Sequence, residues 1–221
     1  MAKVFLYPVS KRNENMITLA IESAISGGSI SLLDDGRELA HWIGTSDVSR
    51  AEDLLVNIDK MLTSNNIGRK SLGMIAVSAG PGSFTGIRIG IATALGLKAG
   101  LGIPMSSYSA LKAMAFVQPD CDKLTIAIPM GRNAVCLQSF DKKGSSLVAI
   151  DEPETLHEDA FAALVRSETT ASFVLHSSIC EKIGTGKYVV DFGANIANAI
   201  GTICGNSTAI ITEPMFISKS F

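Results

Sequence analysis

The segment best suited to chemistry is Ser78-Ala79-Gly80-Pro81-Gly82-Ser83-Phe84-Thr85-Gly86-Ile87-Arg88-Ile89-Gly90. A strand ending in small residues, a Gly-Pro-Gly turn and a helix start bring free amides and a helix dipole together, which favours negative charge. Gly80, Pro81, Gly82, Ser83 and Thr85 are therefore a candidate anion-binding turn. No Gly-Lys-Ser/Thr follows, so the segment is not a P-loop, and its third glycine comes one residue late for the dinucleotide fingerprint. A tight strand-to-helix turn with no ligand explains the same residues equally well. Glu22 closes an apolar run, where a carboxylate can hold a metal–phosphate group, although a lone acid there is usually solvated or capping. His41, His157 and His176 lack partners at meaningful spacing, and Ser83 has no Gly-x-Ser-x-Gly elbow. No pair of carboxylates points to acid–base work, so no catalytic residue and no cofactor is expected. Cys121, Cys136, Cys180 and Cys204 stand far apart without a Cys-x-x-Cys, which argues against a metal site and for reduced, buried thiols in the cytoplasm.

The elements that must position these residues follow from the apolar pattern. Met16–Glu22, Ser29–Leu33 and Glu38–Ile43 read as an antiparallel meander broken by small-residue and Asp-Asp-Gly turns. Ser49 and Glu52 form a capping-box pattern, and Leu54, Leu55, Ile58, Met61 and Leu62 follow as one helical stripe. Met74–Ala79 is a buried strand, and the Gly-Pro-Gly turn leads into a helix from Thr85 to about Leu101. In that helix Gly86, Gly90 and Ala94 lie four apart, as do Ala92, Gly96 and Gly100. Each glycine costs roughly 0.5–1 kcal/mol against alanine in a helix interior, and close packing of a neighbour is the obvious return. The spacing leaves open whether that neighbour is the same chain, the simpler case, or a second protein. Beyond a seam near Pro104 to Pro119 the order recurs. Strands are expected at Leu124–Pro129, Ala134–Phe140, Leu147–Ile150, Ala171–Leu175 and Tyr188–Val190, with helices at Leu156–Val165 and Phe192–Cys204. Two α/β lobes, each a mixed sheet with helices against it, are the expected architecture.

Composition narrows the function. The 221 residues carry 19 Lys+Arg against 21 Asp+Glu, a net charge of -2, so bulk charge does not grip nucleic acid and any such contact is indirect or weak. Charged residues make up 18% and hydrophobic ones 47%, against roughly 25% charged in typical soluble domains. Either a partner covers part of the surface or the fold buries an unusual share of itself. The longest uncharged stretch, Phe192 to Thr212, holds Asn195, Asn198, Asn206 and several glycines and is no membrane span. The leader Met1–Asn15 lacks the apolar core of a signal peptide.

Ala79 to Gly90, followed by Ala94 to Ala99 and Gly102-Ile103-Pro104, resembles the signature of the TsaB (YeaZ) family, and the likeness runs over about Met16 to Ser109. Arg50-Ala51-Glu52 stands where that family usually has His-Ser-Glu. Pro129-Met130-Gly131-Arg132-Asn133-Ala134 replaces its Asp-Ala-Arg-Arg-Gly-Glu, and Pro214-Met215-Phe216 is similar to a terminal Pro-x-Tyr. The resemblance implies a two-lobed actin/Hsp70-like (ASKHA) α/β fold with duplicated mixed sheets flanked by helices. It implies an N-terminal extension over 1–15, a first lobe over 16–109 and a divergent second lobe over 110–221. It further implies a non-catalytic subunit that binds a TsaD-type subunit, the one that transfers threonylcarbamoyl to adenosine 37 of tRNA, with a TsaE-type ATPase in a larger complex. The interface would use Ala51–Thr63 and Thr85–Leu101, with Leu54, Leu55, Ile58, Gly86, Ile87, Gly90, Ala94 and Leu97 as contacts, and would close into a homodimer when the partner is missing. The alternative is a small metal-dependent ATPase or phosphotransferase using Glu22 and the Gly80–Thr85 turn. A peptidase, an old label of the wider family, ranks last.

Overall fold

Three apolar runs separated by glycine turns fold into a meander of β1 (Ile17–Glu22), β2 (Ser29–Asp34) and β3 (Arg37–Ile43). The computed structural model describes residues 17–206 except 26, 45–49, 132, 169–170 and 185–188, with backbone alone for 50–53 and 206. The leader Met1–Asn15, the Ser49–Glu52 capping pattern, Arg132 and Pro214-Met215-Phe216 lie outside these described residues. Parallel to β1 runs β4 (Leu72–Ser78), and parallel to that β5 (Met105–Tyr108), giving a sheet of order β3-β2-β1-β4-β5. The helices α1 (Arg50–Ser64) and α2 (Phe84–Leu101) connect its strands.

The second half repeats the plan. β6 (Cys121–Pro129) and β7 (Ala134–Lys143) pair antiparallel, and β10 (Ser172–His176) and β11 (Val189–Gly193) add parallel strands beside β6. With β8 (Ser146–Ala149) the order is β11-β10-β6-β7-β8, and β9 (Glu154–His157) pairs with β7 off this path. The chain therefore has the expected two-lobed α/β fold with two mixed sheets of matching order.

Alternation along the strands sorts the core into layers. Leu19, Ile21, Ile30, Leu32, Ile75 and Val77 pack with α1 and α2 on one face of the first sheet. The other face presents Ala20, Ala76 and Leu33, and α6 (Ile196–Asn206) lies on it, while α3 (Ala110–Phe116) packs beside α6 against β6 and β7 of the second sheet. Leu124, Ile126, Ile128 and Phe140 of the second sheet close the same cluster from the far side. The outer face of the second sheet packs Phe161 of α4 (Glu158–Ser167) and Ile179 of α5 (Ser177–Ile183). A fold of helices, sheet, helices, sheet and helices results. The last described helix thus returns to the first sheet, although its sequence belongs to the second half. Polar bonds follow it across, since the Ala197 amide donates to Ser29 Oγ at 3.0 Å and Asn195 Nδ2 donates to Glu38 Oε1 at 2.8 Å.

Candidate functional site

The strand-to-helix turn is built as the sequence suggests but spends its amides on its own chain. Gly80 has φ +91, the Gly80–Pro81 bond is cis, and Ser83 caps α2 by accepting the Gly86 amide on its Oγ at 3.3 Å. The Ser83 amide donates to the Ala24 carbonyl at 2.7 Å, and the Gly80 amide to Ser78 Oγ at 3.2 Å. A Cβ on Gly82 would stand 2.5 Å from the Ala24 carbonyl oxygen. The turn that follows β1 thus stands against Gly82 and takes the Ser83 amide, while the Ser83 side chain is exposed. Thr85 is exposed just beyond.

Glu22 is likewise engaged. It is buried, and its Oε1 accepts the Ala24 amide at 2.5 Å and the Ile25 amide at 3.0 Å. A carboxylate used this way caps the β1–β2 turn. Among the described residues no three His, Cys, Asp or Glu side chains gather as metal ligands. His176, at the end of β10, is buried and accepts the Ser178 amide on Nδ1 at 3.3 Å. Burial pulls its imidazole down from 6.5 to about 4, with Asp191 opposing. Burial also pushes the Cys136 thiol up to about 12 and the Cys204 thiol to about 11. These groups are quiet core residues.

The helices divide the expected interface in two. Leu54, Ile58, Gly86, Ile87, Gly90 and Ala94 are buried within their own chain. A Cβ on Gly86 would meet the Ser23 carbonyl oxygen at 2.1 Å, and one on Gly90 would meet Ser23 Oγ at 2.3 Å. Ser23 Oγ in turn donates to the Gly86 carbonyl at 2.8 Å. These six residues are covered by their own chain, although Ile58 also reaches the groove described below, and the first small-residue stripe lets α2 sit on the β1–β2 turn and β4. Leu55 and, in part, Leu97 remain outside.

The second stripe is open. Around Gly96 and Gly100 a Cβ would find nothing within 4 Å, and Ala92 is exposed. Leu55 is 52% exposed, Leu95 49%, and Val56 and Phe84 are about half-exposed. A groove of ≈ 380 Å³ between the helices is lined by Leu55, Ile58, Leu62, Gly96, Leu97 and Gly100. Its polar rim is the Arg69–Asp59 ion pair, Nη2 to Oδ1 at 2.5 Å. Val56, Phe84, Ala92, Leu95, Gly96 and Gly100 were absent from the expected contacts. The available signal was topological: a helix entered straight from a buried strand turns its first small residues inward, so the stripe on the opposite side faces out. A second cleft of ≈ 460 Å³ lies between the β2–β3 turn and α6, where Glu38 Oε1 also accepts from Ser31 Oγ at 2.8 Å.

Comparison with known proteins now decides the family. The family model described as TsaD: tRNA N6-adenosine threonylcarbamoyltransferase matches residues 47–213. The tRNA threonylcarbamoyladenosine biosynthesis protein TsaB of Escherichia coli is 30% identical over 152 residues, 65% of each chain. Its Haemophilus influenzae counterpart is 33% identical over 102 residues, 46% of this chain and 43% of that one. The chain belongs to the TsaB family. Its matches span 65% or less of these curated relatives. The crystal structure of a Pseudomonas aeruginosa protein described as similar to peptidase YeaZ superposes with TM-score 0.66 at 19% identity, covering 92% of this chain and 100% of that one. YeaZ from the same organism gives 0.63 at 18%, covering 89% and 99%. At such identities the superposition speaks for the fold alone, the two-lobed α/β arrangement described above. Four of the exposed large apolar side chains, Leu55, Val56, Phe84 and Leu95, stand on α1 and α2, which makes their outer face the candidate site.

Proposed function

We propose that this TsaB-family chain is a non-catalytic subunit of the machinery that makes threonylcarbamoyladenosine at position 37 of tRNA. It acts by seating a TsaD-type catalytic subunit on the outer face of α1 and α2. One observation carries the reading: α2 is apolar around most of its circumference, yet only 22% of its residues are buried by its own chain. A helix apolar all round is ordinarily covered all round. Leu55, Val56, Ala92 and Leu95 with the glycine-floored groove form the surface left to cover. The engagement of Glu22 with its own turn supports a role without independent phosphotransfer. A TsaE-type ATPase completes the assembly, the chain works in the cytoplasm, and a net charge of -2 leaves tRNA to the partners. Without its partner the same face closes on a second copy.

Co-purification with a TsaD-type subunit tests this. Leu55→Asp and Leu95→Asp each place a carboxylate on exposed positions, so the monomer should keep its circular dichroism and melting temperature while the complex is lost. Retained complex in both variants refutes the docking face.

A further inference from the structure

One charge stands in the middle of the apolar outer side of α2. Arg88 lies over the Phe84 ring, its guanidinium carbon 3.8 Å from the ring centroid, and is exposed. It makes no ion pair among the described residues. Stacked on the ring at the surface, the guanidinium has no carboxylate partner among the described residues, and an arginine so placed can receive a carboxylate through two parallel bonds. Leu95 and Ala92 follow one to two turns along the same side. α2 carries Lys98 as a second cation and no carboxylate, and Asp59 across the groove is already held by Arg69.

A partner that covers Phe84, Ala92 and Leu95 also takes Arg88 out of water. Burying a cation without a counter-charge costs more than the surrounding apolar contacts return. We propose that Arg88 is a specificity-determining residue of this face and that it receives an Asp or Glu carboxylate from the apolar docking surface of the partner. The inference rests on the docking reading above. It adds that the partner is selected by a charge complementary to Arg88, and by apolar fit second.

The test is a titration of the TsaD-type subunit against wild type, Arg88→Met, Arg88→Lys and Arg88→Glu, at low and at physiological salt. Arg88→Met keeps an aliphatic cover on Phe84 and removes the charge, so it should raise Kd by about thirtyfold or more. Arg88→Lys should fall between, because it keeps the charge and loses the fork. Arg88→Glu should bind worst and be rescued when one acidic residue of the partner is changed to Arg. Arg88→Met binding within threefold of wild type, while Leu55→Asp and Leu95→Asp still abolish the complex, overturns this inference and leaves the docking reading intact. Retained binding in all variants overturns both. Loss of the homodimer alone identifies a second copy as the occupant and also overturns it.

Discussion

Gly86 and Gly96 lie on one helix, and the same substitution should move the protein in opposite directions. Exchanging glycine for alanine inside a helix gains about 0.8–1 kcal/mol in propensity. At Gly96 nothing stands within 4 Å of the new methyl group, so that gain is realised in full. At Gly86 the methyl carbon would sit 2.1 Å from the Ser23 carbonyl oxygen and 2.9 Å from Ala24 Cα. Both obstacles are backbone, and that backbone is tied in place by Ser23 Oγ to the Gly86 carbonyl and by the Ser83 amide to the Ala24 carbonyl. Overpacking costs about 1–3 kcal/mol where side chains yield. Here the upper end applies, which leaves a net loss of about 2 kcal/mol for Gly86→Ala. For a chain of this size 1 kcal/mol shifts Tm by roughly 2–4 °C. Gly86→Ala should melt roughly 4–8 °C below wild type, and Gly96→Ala roughly 2–4 °C above it. Thermal melts followed at 222 nm, with urea midpoints as a check, measure both. A Gly86→Ala variant as stable as wild type, or a Gly96→Ala variant that melts below Gly86→Ala, refutes the division of α2 into an inner and an outer stripe.

Stability should fall as the pH drops below about 6.5, because unfolding releases His176 to take up a proton that the native state refuses until about pH 4. At about 1.36 kcal/mol per pH unit the loss approaches roughly 3 kcal/mol by pH 4. In His176→Asn, which keeps an N-cap acceptor, that component of the pH–stability curve should vanish, and parallel curves for the two proteins would contradict the assignment. Glu22→Ala strands the amides of Ala24 and Ile25 and should cost about 2–4 kcal/mol in urea unfolding. Calorimetry with ATP and magnesium should give no saturable heat for the wild type, and heat that Glu22→Gln removes would restore the phosphotransfer reading. Of the four cysteines, Cys121 should react first with an aromatic disulfide reagent at pH 8, since Cys136, Cys180 and Cys204 are buried. Fast native-state labelling of two or more thiols would count against the packing of the second lobe.

The elements legible in the sequence were those with a clear period. The meander, α1, β4 and α2 emerge within a residue or two of their expected bounds, because each has one wet and one dry side or a marked turn at its end. α3 escaped notice inside the seam near Pro104 to Pro119. Ala110, Leu111, Ala113, Met114 and Ala115 are all buried, so this short helix has no polar face to set a period. The strand β5 before it has four residues, Met105–Tyr108, three of them buried and two of those serines. β9 was absorbed into the helix expected at Leu156–Val165, whose true start is Glu158, capped by His157. α5 was missed as well, being a seven-residue helix joined to β10 without an intervening loop. In α2 the expected contact residues Gly86, Ile87, Gly90 and Ala94 are the buried ones, and the exposed Ala92, Leu95, Gly96 and Gly100 lie on another side. Small residues at a spacing of four mark close approach, but the pattern carries no sign for who approaches.

The two stripes of α2 also bear on why this helix is so apolar. By length and hydropathy alone Phe84–Leu101 is long and apolar enough to cross a bilayer. Crossing would require Gly86, Ile87, Gly90 and Ala94 to leave the β1–β2 turn and β4, opening the fully buried Val77 and the Ser23–Gly86 bond to the environment. It would also set Arg88, one turn into the helix, against lipid. A protein surface asks for neither, since it can meet the outer stripe while the inner one stays on the sheet. The glycines fit that arrangement too. Gly96 and Gly100 weaken the helix by about 0.8–1 kcal/mol each, and no contact among the described residues requires them. What they open is a low floor between α1 and α2, and under the docking reading proposed above their cost would be recovered in the complex.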